Sequence, residues 1–587
     1  MESLVAVGLT YSIIGLSITS LIFVLSKKDI PFWVTGFFVY LLGHLITGYE
    51  IPGIFVIFLL VLLYLIIKSL LPEWQDNAIL LMSFSLLSFS FYILTIYPIS
   101  IFINIISMLF FSLEMFHILD VGGRKSFIRK RGPSIEKDLY HPKVSIHVPI
   151  YKEPVEIVRK TLSSLSNLDY PDYEVCVIVN NTKEESLWRP IEEICKSLGK
   201  RFRFFHLPEY PGYKAGTLNF ALKATSKDAE IIGIVDSDYI VSPDFLKATV
   251  PYFKDPMVAI VQTPQDYREF PDSMNGAYWA YRYFFSIIMN SCNEHNAASF
   301  MGTMGLIRKK SLEEVGGWDE EIITEDSELG IRIHNRGWKS IYIDKSFGKG
   351  LMPFSFIAYK KQRFRWAFGN MQTIRKNLKE VLFGNLTFLQ KVCYLGSNTI
   401  WFNNLLIPYL LLCFSIFIEK GKGFAIAFSM IAPYFSFLLS RVIGFIIVLP
   451  RIEKISIREG MLALLSFLSI TLPMSTAWLL CLIKPKGGFW RTPKTKGSFT
   501  FISFLKEIKV EITIIIICWI FAFSGFLRGL YLSSILLMIN SLIYMPSLLT
   551  FRWFNKFVAE GDKHKNSSIG GKNEDRDYST FMETCSA

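Results

Sequence analysis

Residues 230–238 read EIIGIVDSD, and this stretch decides how the middle of the chain folds. A β-branched apolar run too short for a helix and bounded by acids reads as a buried strand that stops at Asp236. Similar runs lie on either side: VSIHVPI (144–150), YEVCVIV (173–179), FRFFHL (202–207) and VAIVQT (258–263), with helical patterns between them. Strands alternating with helices predict a mainly parallel sheet covered on both faces. In such sheets ligands bind beyond the carboxyl ends of the strands.

The residues just past those ends are therefore the candidate site. Asp236 and Asp238 place two carboxylates at alternate positions after the strand, a hard-oxygen arrangement suited to Mg²⁺ or Mn²⁺ bridging to a diphosphate. An Asp-x-Asp is also a common loop or cap motif. Thr324-Glu325-Asp326 opens a helix over 327–335, where acids are favoured by the helix dipole whatever they do. Its functional reading is that Asp326 is a general base. Lys214 begins another helix after a Pro-Gly turn, where a cation and backbone amides meet phosphate, or merely water. His147, within the first strand, reads as a satisfied sheet histidine.

The rest of the chain is a different medium. Of 587 residues, 51% are hydrophobic, which excludes a soluble protein of this length. Apolar runs long enough to cross a bilayer lie near 3–25, 31–49, 53–72, 77–97 and 99–120, then 397–418, 424–449, 459–483, 509–528 and 531–550. The formal charge is +12, and Lys27, Lys28, Lys68 and the cluster RKSFIRKR (124–131) share one side if five helices come first. By the positive-inside bias that side is the cytoplasm. Residues 1–9 hold Glu2 and no Lys or Arg, so the first run is expected to be a retained helix rather than a cleaved signal. The eight cysteines show no metal-type spacing and read as buried thiols. No nucleic-acid partner is expected; the basic excess faces membrane lipid.

Ahead of the second apolar half stands YKKQRFRWAFGN (359–370). On a helix, Gln362, Arg365 and Trp366 fall at i, i+3 and i+4 and share a face. Lys, Arg, Phe and Trp also suit an amphipathic helix lying in a membrane interface.

Taken together, Asp236/Asp238, Thr324-Glu325-Asp326 and Gln362-Arg363-Phe364-Arg365-Trp366, in that order, resemble the DxD, TED and QxxRW signature of processive family-2 glycosyltransferases such as cellulose and hyaluronan synthases. Segments such as IHVPIYKEP, YKAGTLNFAL and GGWDEEIITEDSELG look closest to bacterial β-glucan synthases of the curdlan and cyclic-glucan type, over roughly 140–500. The resemblance implies a multi-pass α-helical membrane protein with an inserted cytosolic α/β GT-A domain. It implies a nucleotide-sugar donor, with UDP-glucose foremost, and a growing β-glycan as acceptor. Tyr151, Glu153, Asn180, Lys214, Asp236, Gln362 and Arg365 would contact the donor, Asp238 and Asp236 the metal, and Glu325 and Trp366 the acceptor, with Asp326 as base. In one respect the chain departs from the pattern. The family places an aspartate at the end of the second strand, where this chain has Val179, so either Asn180 takes over the nucleobase contact or the donor carries another base.

The resemblance also marks Phe489, Arg491, Thr492 and Lys494 as a gating loop. That agrees with parity: if 459–483 crossed, the basic segment KPKGGFWRTPKTK (484–496) would lie outside, so 459–483 is expected along the inner face, broken near Pro473. The expected organisation is membrane helices over 1–122, a glycosyltransferase domain over 140–355, interfacial helices over 356–395, a membrane hairpin over 396–450, an interfacial helix and loop over 451–500, a second hairpin over 505–552 and a flexible cytosolic tail over 553–587. The expected location is the plasma membrane, with about nine spans. Two other readings are a distributive enzyme that places one sugar on a lipid carrier, and a transporter with a nucleotide-sensing domain.

Overall fold

The computed structural model describes residues 2–25, 30–47, 50–93, 100–129, 132, 140–401, 405–485, 501–550 and 553–554. The five runs read as strands fold as strands and five more join them: β1 is Val144–Ile150, β2 Tyr173–Asn180, β3 Phe202–Leu207, β4 Ile231–Ile234, β5 Ile240–Val241, β6 Val258–Gln262, β7 Asp266–Arg268, β8 Gly305–Arg308, β9 Lys339–Tyr342 and β10 Gly348–Leu351. Seven of them form one sheet in the order β3-β2-β1-β4-β8-β6-β9. Pairs β1–β2, β2–β3, β1–β4 and β6–β9 are parallel, whereas β8 runs antiparallel to both β4 and β6.

That one reversal refines the parallel sheet expected from sequence. Between β6 and β8 the chain leaves the sheet for helices spanning Asn275–Tyr283 and Asn290–Glu294, then re-enters from the opposite end. Four residues are too few to announce a strand direction by periodicity. A small second sheet, β5-β10-β7, lies beside the first.

Two apolar layers sandwich the main sheet. Val144, Ile146, Val148, Val175, Val177 and Val179 pack with Val158 and Leu162 on one side. Ile232, Ile234, Ile260 and Ile307 pack with Leu218, Leu329 and Trp318 on the other. With strands covered on both faces, the pockets available to ligands are at strand ends, which is what places the site.

Among the described residues, five helical stretches are long and apolar enough to cross a membrane: Ala6–Phe23, Ile101–Gly122, Lys420–Glu453, Lys509–Leu527 and Tyr531–Thr550. A sixth exists if the bent pair Ile457–Leu468 and Thr471–Ile483 counts as one span; its two halves meet at 43°. The break falls at residues 469–470, with Pro473 in the first turn of the following helix, where its missing N–H costs no helical bond. Val34–Thr47, Val56–Leu70, Asp76–Ser90 and Leu406–Ser415 are shorter apolar helices. Side chains such as Phe58, Phe102, Phe523 and Leu527 are exposed on these elements, as suits a hydrocarbon surrounding.

One helix joins the two media. It runs Phe356–Phe383, capped by the Ser355 side chain, which accepts from the Ala358 amide. Near its start Lys360 makes a buried 2.5 Å ion pair with Glu511 of the helix Lys509–Leu527. Further on, the Gln372 side-chain amide donates to the Pro485 carbonyl at 2.6 Å, and Arg375 donates to the Cys481 and Leu482 carbonyls. The gating-loop residues Phe489, Arg491, Thr492 and Lys494, and the expected tail beyond Phe554, lie outside the described residues.

Candidate functional site

Strand ends and helix starts converge on a cavity of about 470 Å³. Tyr151 and Glu153 follow β1, Asn180 ends β2, and Asp236 and Asp238 follow β4. Lys214 enters from the helix Tyr213–Ala224, Glu325 and Asp326 from the start of Glu325–Asn335, and Gln362, Arg365 and Trp366 from Phe356–Phe383. Every candidate site residue within the described residues thus lines a single space. Val179 does not: it is fully buried in the sheet core, and the cavity meets Asn180 and Asn181 instead.

The carboxylates are held from several directions. Lys214 Nζ donates to Asp236 Oδ1 at 2.7 Å and to the Gly302 carbonyl at 2.9 Å, while the Asp236 amide donates to Thr303 Oγ1. Asp238 is nearly buried and its Oδ2 accepts from the Leu351 amide at 3.1 Å, tying it to β10. Asp326 Oδ1 accepts from the Ser327 amide at 2.8 Å, the first turn of its own helix. Gly302, at φ +76°, passes so close that an added Cβ would sit 2.5 Å from Asp326 Oδ2.

Helix Glu325–Asn335 is stitched to the bridging helix. The Ile323 amide donates to Gln372 Oε1 at 3.1 Å, and the hydroxyls of Thr324 and Thr373 lie 3.3 Å apart. Thr324 stands at the N-cap position, yet its side chain makes no capping bond, so the bland cap reading does not account for it. Gln362 Oε1 accepts from the Tyr281 hydroxyl. The Trp366 ring meets Tyr281 edge-on at 5.7 Å and Trp401 at 5.9 Å.

Charge follows from this burial. Burial, then the neighbouring Asp326 charge, pushes Glu325 up to about 7. Burial also raises Asp326, opposed by Lys214 and Arg365. Lys214 is penalised by burial, but Asp236 and Glu325 outweigh that and raise it. The site is therefore a mixed cluster in which two cations face at least three carboxylates, with room left for an anionic ligand.

His147 is buried within β1, as read from sequence; Thr225 Oγ1 lies 2.8 Å from its Nε2, whereas its Nδ1 meets no partner among the described residues, and burial pushes it down to about 3. Sequence reading missed Asn181, Tyr213, Gln265, Tyr267 and Gly302, which also line the cavity. Two of them share a signal invisible in composition: Asn181 and Tyr213 have φ of 49° and 50°, as Lys152 has 48° beside Tyr151. Left-handed backbone at non-glycine residues, gathered at two strand ends and a helix start, marks a site that overrides local preference.

Residues 141–369 match the family described as glycosyltransferase like family 2, and residues 308–457 match the cellulose synthase family. The chain is 30% identical over 268 residues to the cellulose synthase 1 catalytic subunit [UDP-forming] of Komagataeibacter xylinus, covering 44% of this chain and 35% of that protein. It is 29% identical over 276 residues to the cellulose synthase catalytic subunit [UDP-forming] of Pseudomonas fluorescens (strain SBW25), covering 45% of this chain and 36% of that protein. The match thus spans about a third of each relative's length. Among solved structures, the mannosyltransferase PcManGT of Pyrobaculum calidifontis, in complex with GDP-Man and Mn²⁺, is similar at 18% identity and a TM-score of 0.44, covering 65% of this chain and 95% of that one. Over residues 141–369 the α/β domain is thus similar to glycosyltransferase family 2, and the similarity to cellulose synthases continues through residue 457.

Proposed function

We propose that this protein is an inverting hexosyltransferase that extends a β-glycan from a nucleotide-sugar donor, foremost UDP-glucose, and passes the polymer across the membrane. The supporting observation is that three segments far apart in sequence, around Asp238, Asp326 and Trp366, open onto one cavity beside apolar helices. Both cellulose synthase relatives carry "UDP-forming" in their names, which favours a uridine donor here; Asn180 and Asn181 take the place the aspartate would have held.

Asp326 accepts the proton of the acceptor hydroxyl, whose oxygen attacks the anomeric carbon from the face opposite the diphosphate. The bond from that carbon to the diphosphate oxygen breaks, and its electron pair leaves with the diphosphate, so configuration inverts. Lys214 and Arg365 supply positive charge where the diphosphate departs, and Gln362 orients nearby hydroxyls. Trp366 offers a flat apolar face to the terminal sugar of the acceptor. Hard carboxylate oxygens on Asp238 and Asp236 fit Mg²⁺ or Mn²⁺, which when bound would neutralise diphosphate charge. With Asp326 as the base and no nucleophilic side chain used, elongation proceeds without a covalent intermediate.

Membrane helices serve the same reaction. A glycan hydroxyl moved into hydrocarbon without a partner costs about 2–7 kcal/mol, so the polymer needs a lined path. The path begins at Trp366 and Trp401, and the glycosyltransferase domain faces the cytoplasm, where nucleotide sugars are made. Membranes containing the protein, incubated with several labelled nucleotide sugars and then digested with linkage-specific glycanases, test this reading. A polymer whose anomeric configuration is opposite to the donor's supports it. A single sugar transferred to lipid, or no transfer from any donor, overturns it.

A further inference from the structure

Within the bridging helix, Arg363 is fully buried, at 1% exposure, between the two cavity residues Gln362 and Trp366. It does not line the cavity. Its guanidinium carbon lies 3.9 Å from the ring centre of Tyr281, 5.2 Å from Tyr359, 5.1 Å from Trp366 and 5.1 Å from Trp401. None of its three nitrogens has a hydrogen-bond partner among the described residues.

A buried cation without hydrogen bonds is expensive, and a thioether or aliphatic chain of the same length would fill this space without that cost. What the charge adds is orientation. Ring faces turn toward a cation because their quadrupole is negative there, and a planar, weakly hydrated guanidinium can address several rings at once. The rings so held are the ones that matter. Trp366 lines the cavity, Tyr281 packs edge-on against it, and the Tyr281 hydroxyl also donates to Gln362. Tyr281 and Arg363 come from segments some eighty residues apart, so this packing is a tertiary feature rather than a helix habit.

We infer that Arg363 is a positioning residue for the acceptor end of the site: its buried guanidinium fixes the plane of the Trp366 indole, on which the terminal sugar of the growing chain rests. The inference deepens the proposed β-glycan synthase and rests on that reading. Arg363 touches neither donor nor acceptor. Its loss tilts the platform while Lys214, Arg365 and the carboxylates keep the nucleotide.

The test is a double-mutant cycle on the full-length protein in membranes, measuring sugar incorporation from labelled UDP-glucose and affinity for UDP. Arg363→Met should lower the maximal rate of polymer formation roughly tenfold to a hundredfold, the scale of an ångström-sized misplacement. UDP affinity should stay within about threefold, since side chains not shared with the acceptor platform act independently. Arg363→Lys, which keeps the charge but not the plane, should recover part of the rate and guards against a Met variant that fails to fold. The decisive readout is the combination with Trp366→Ala. Acting through Trp366, Arg363→Met should cost little more in that background, whereas a merely structural loss multiplies in both. Multiplying losses, or UDP affinity falling as far as the rate, overturn the positioning role. A wild-type protein that polymerises no nucleotide sugar overturns instead the reading beneath it.

Discussion

Replacing Gly302 by alanine should disable the proton acceptor without touching it. Two costs can be worked from the structure. The first is conformational: at φ +76° an L-residue pays about 1–2 kcal/mol, a loss of stability wherever it occurs. The second is local: the new Cβ would stand 2.5 Å from Asp326 Oδ2, where an ordinary contact begins at 3.4 Å, so the carboxylate must retreat by about 1 Å. Asp326 cannot simply swing aside, because its other oxygen accepts from the Ser327 amide and its segment is tied to the bridging helix through Gln372 and Thr373. A misplacement of about 1 Å at a reacting group costs roughly a hundredfold in rate, or about 2.7 kcal/mol of barrier.

Gly199 provides the control. It has φ +92° and nothing within 4 Å of an added Cβ, so Gly199→Ala carries the conformational cost alone. Initial rates of labelled-sugar incorporation, with thermal melting of both variants, separate the two terms. Expected are a similar loss of melting temperature in both and a rate loss near a hundredfold only in Gly302→Ala. A Gly302→Ala protein within threefold of wild type would refute the placement of Asp326 as base, and so would an equal rate loss in Gly199→Ala.

Asp238→Asn should reduce divalent-ion-dependent transfer by roughly a hundredfold or more, read as sugar incorporation across a titration of Mg²⁺ and Mn²⁺; recovery at high ion concentration would count against a direct role. Lys360→Met strands the Glu511 charge, buried to 1% exposure, and should destabilise by about 3–5 kcal/mol in melts of the detergent-extracted protein. The double variant Lys360→Met/Glu511→Leu should restore most of that loss, and a double variant no better than the single would show that the pair itself is the stabiliser. Glu325, raised from 4.5 to about 7, holds a proton in the folded, ligand-free protein that the unfolded chain has already released. Its stabilising contribution is therefore complete below 4.5 and lost as pH climbs through 7. The melting-temperature advantage of Glu325→Gln over wild type should grow across that window and then level off; a constant difference would contradict it.

The parts legible in sequence were those set by local pattern. β1 and β3 have the bounds of the runs VSIHVPI and FRFFHL, and β2 extends its run by a single residue, because runs rich in β-branched and aromatic residues favour the extended backbone. The spacing of Gln362, Arg365 and Trp366 predicted a shared face, and all three reach the cavity. What stayed hidden depends on partners distant in the chain. The direction of β8 is set by a helical excursion rather than by its four residues. Lys214 read as a phosphate ligand, and nothing in its neighbourhood announced the bond to Asp236 that charge-balances the site. The aromatic box around Arg363 draws Tyr281, Tyr359, Trp366 and Trp401 from three separate stretches, so no window on the sequence contains it.

The bridging helix explains why sheet and membrane belong to one machine. A platform on a loop would move independently of the helices that must receive the polymer; a platform in the third turn of a helix does not. Lys360 couples that helix to the membrane helix Lys509–Leu527, and Trp366 follows six residues later, a rise of about 9 Å along the same axis. Beyond it, Gln372 and Arg375 fasten the helix to residues 481–485, the end of the bent pair. A shift of either membrane element therefore carries Trp366 with it, together with the start of the Asp326 helix that Gln372 and Thr373 tie to the same element, while Asp238 keeps its place against β10. On the proposed mechanism, membrane packing would then set the distance between this acceptor side and the donor side at Asp238, and elongation is the step that would depend on it.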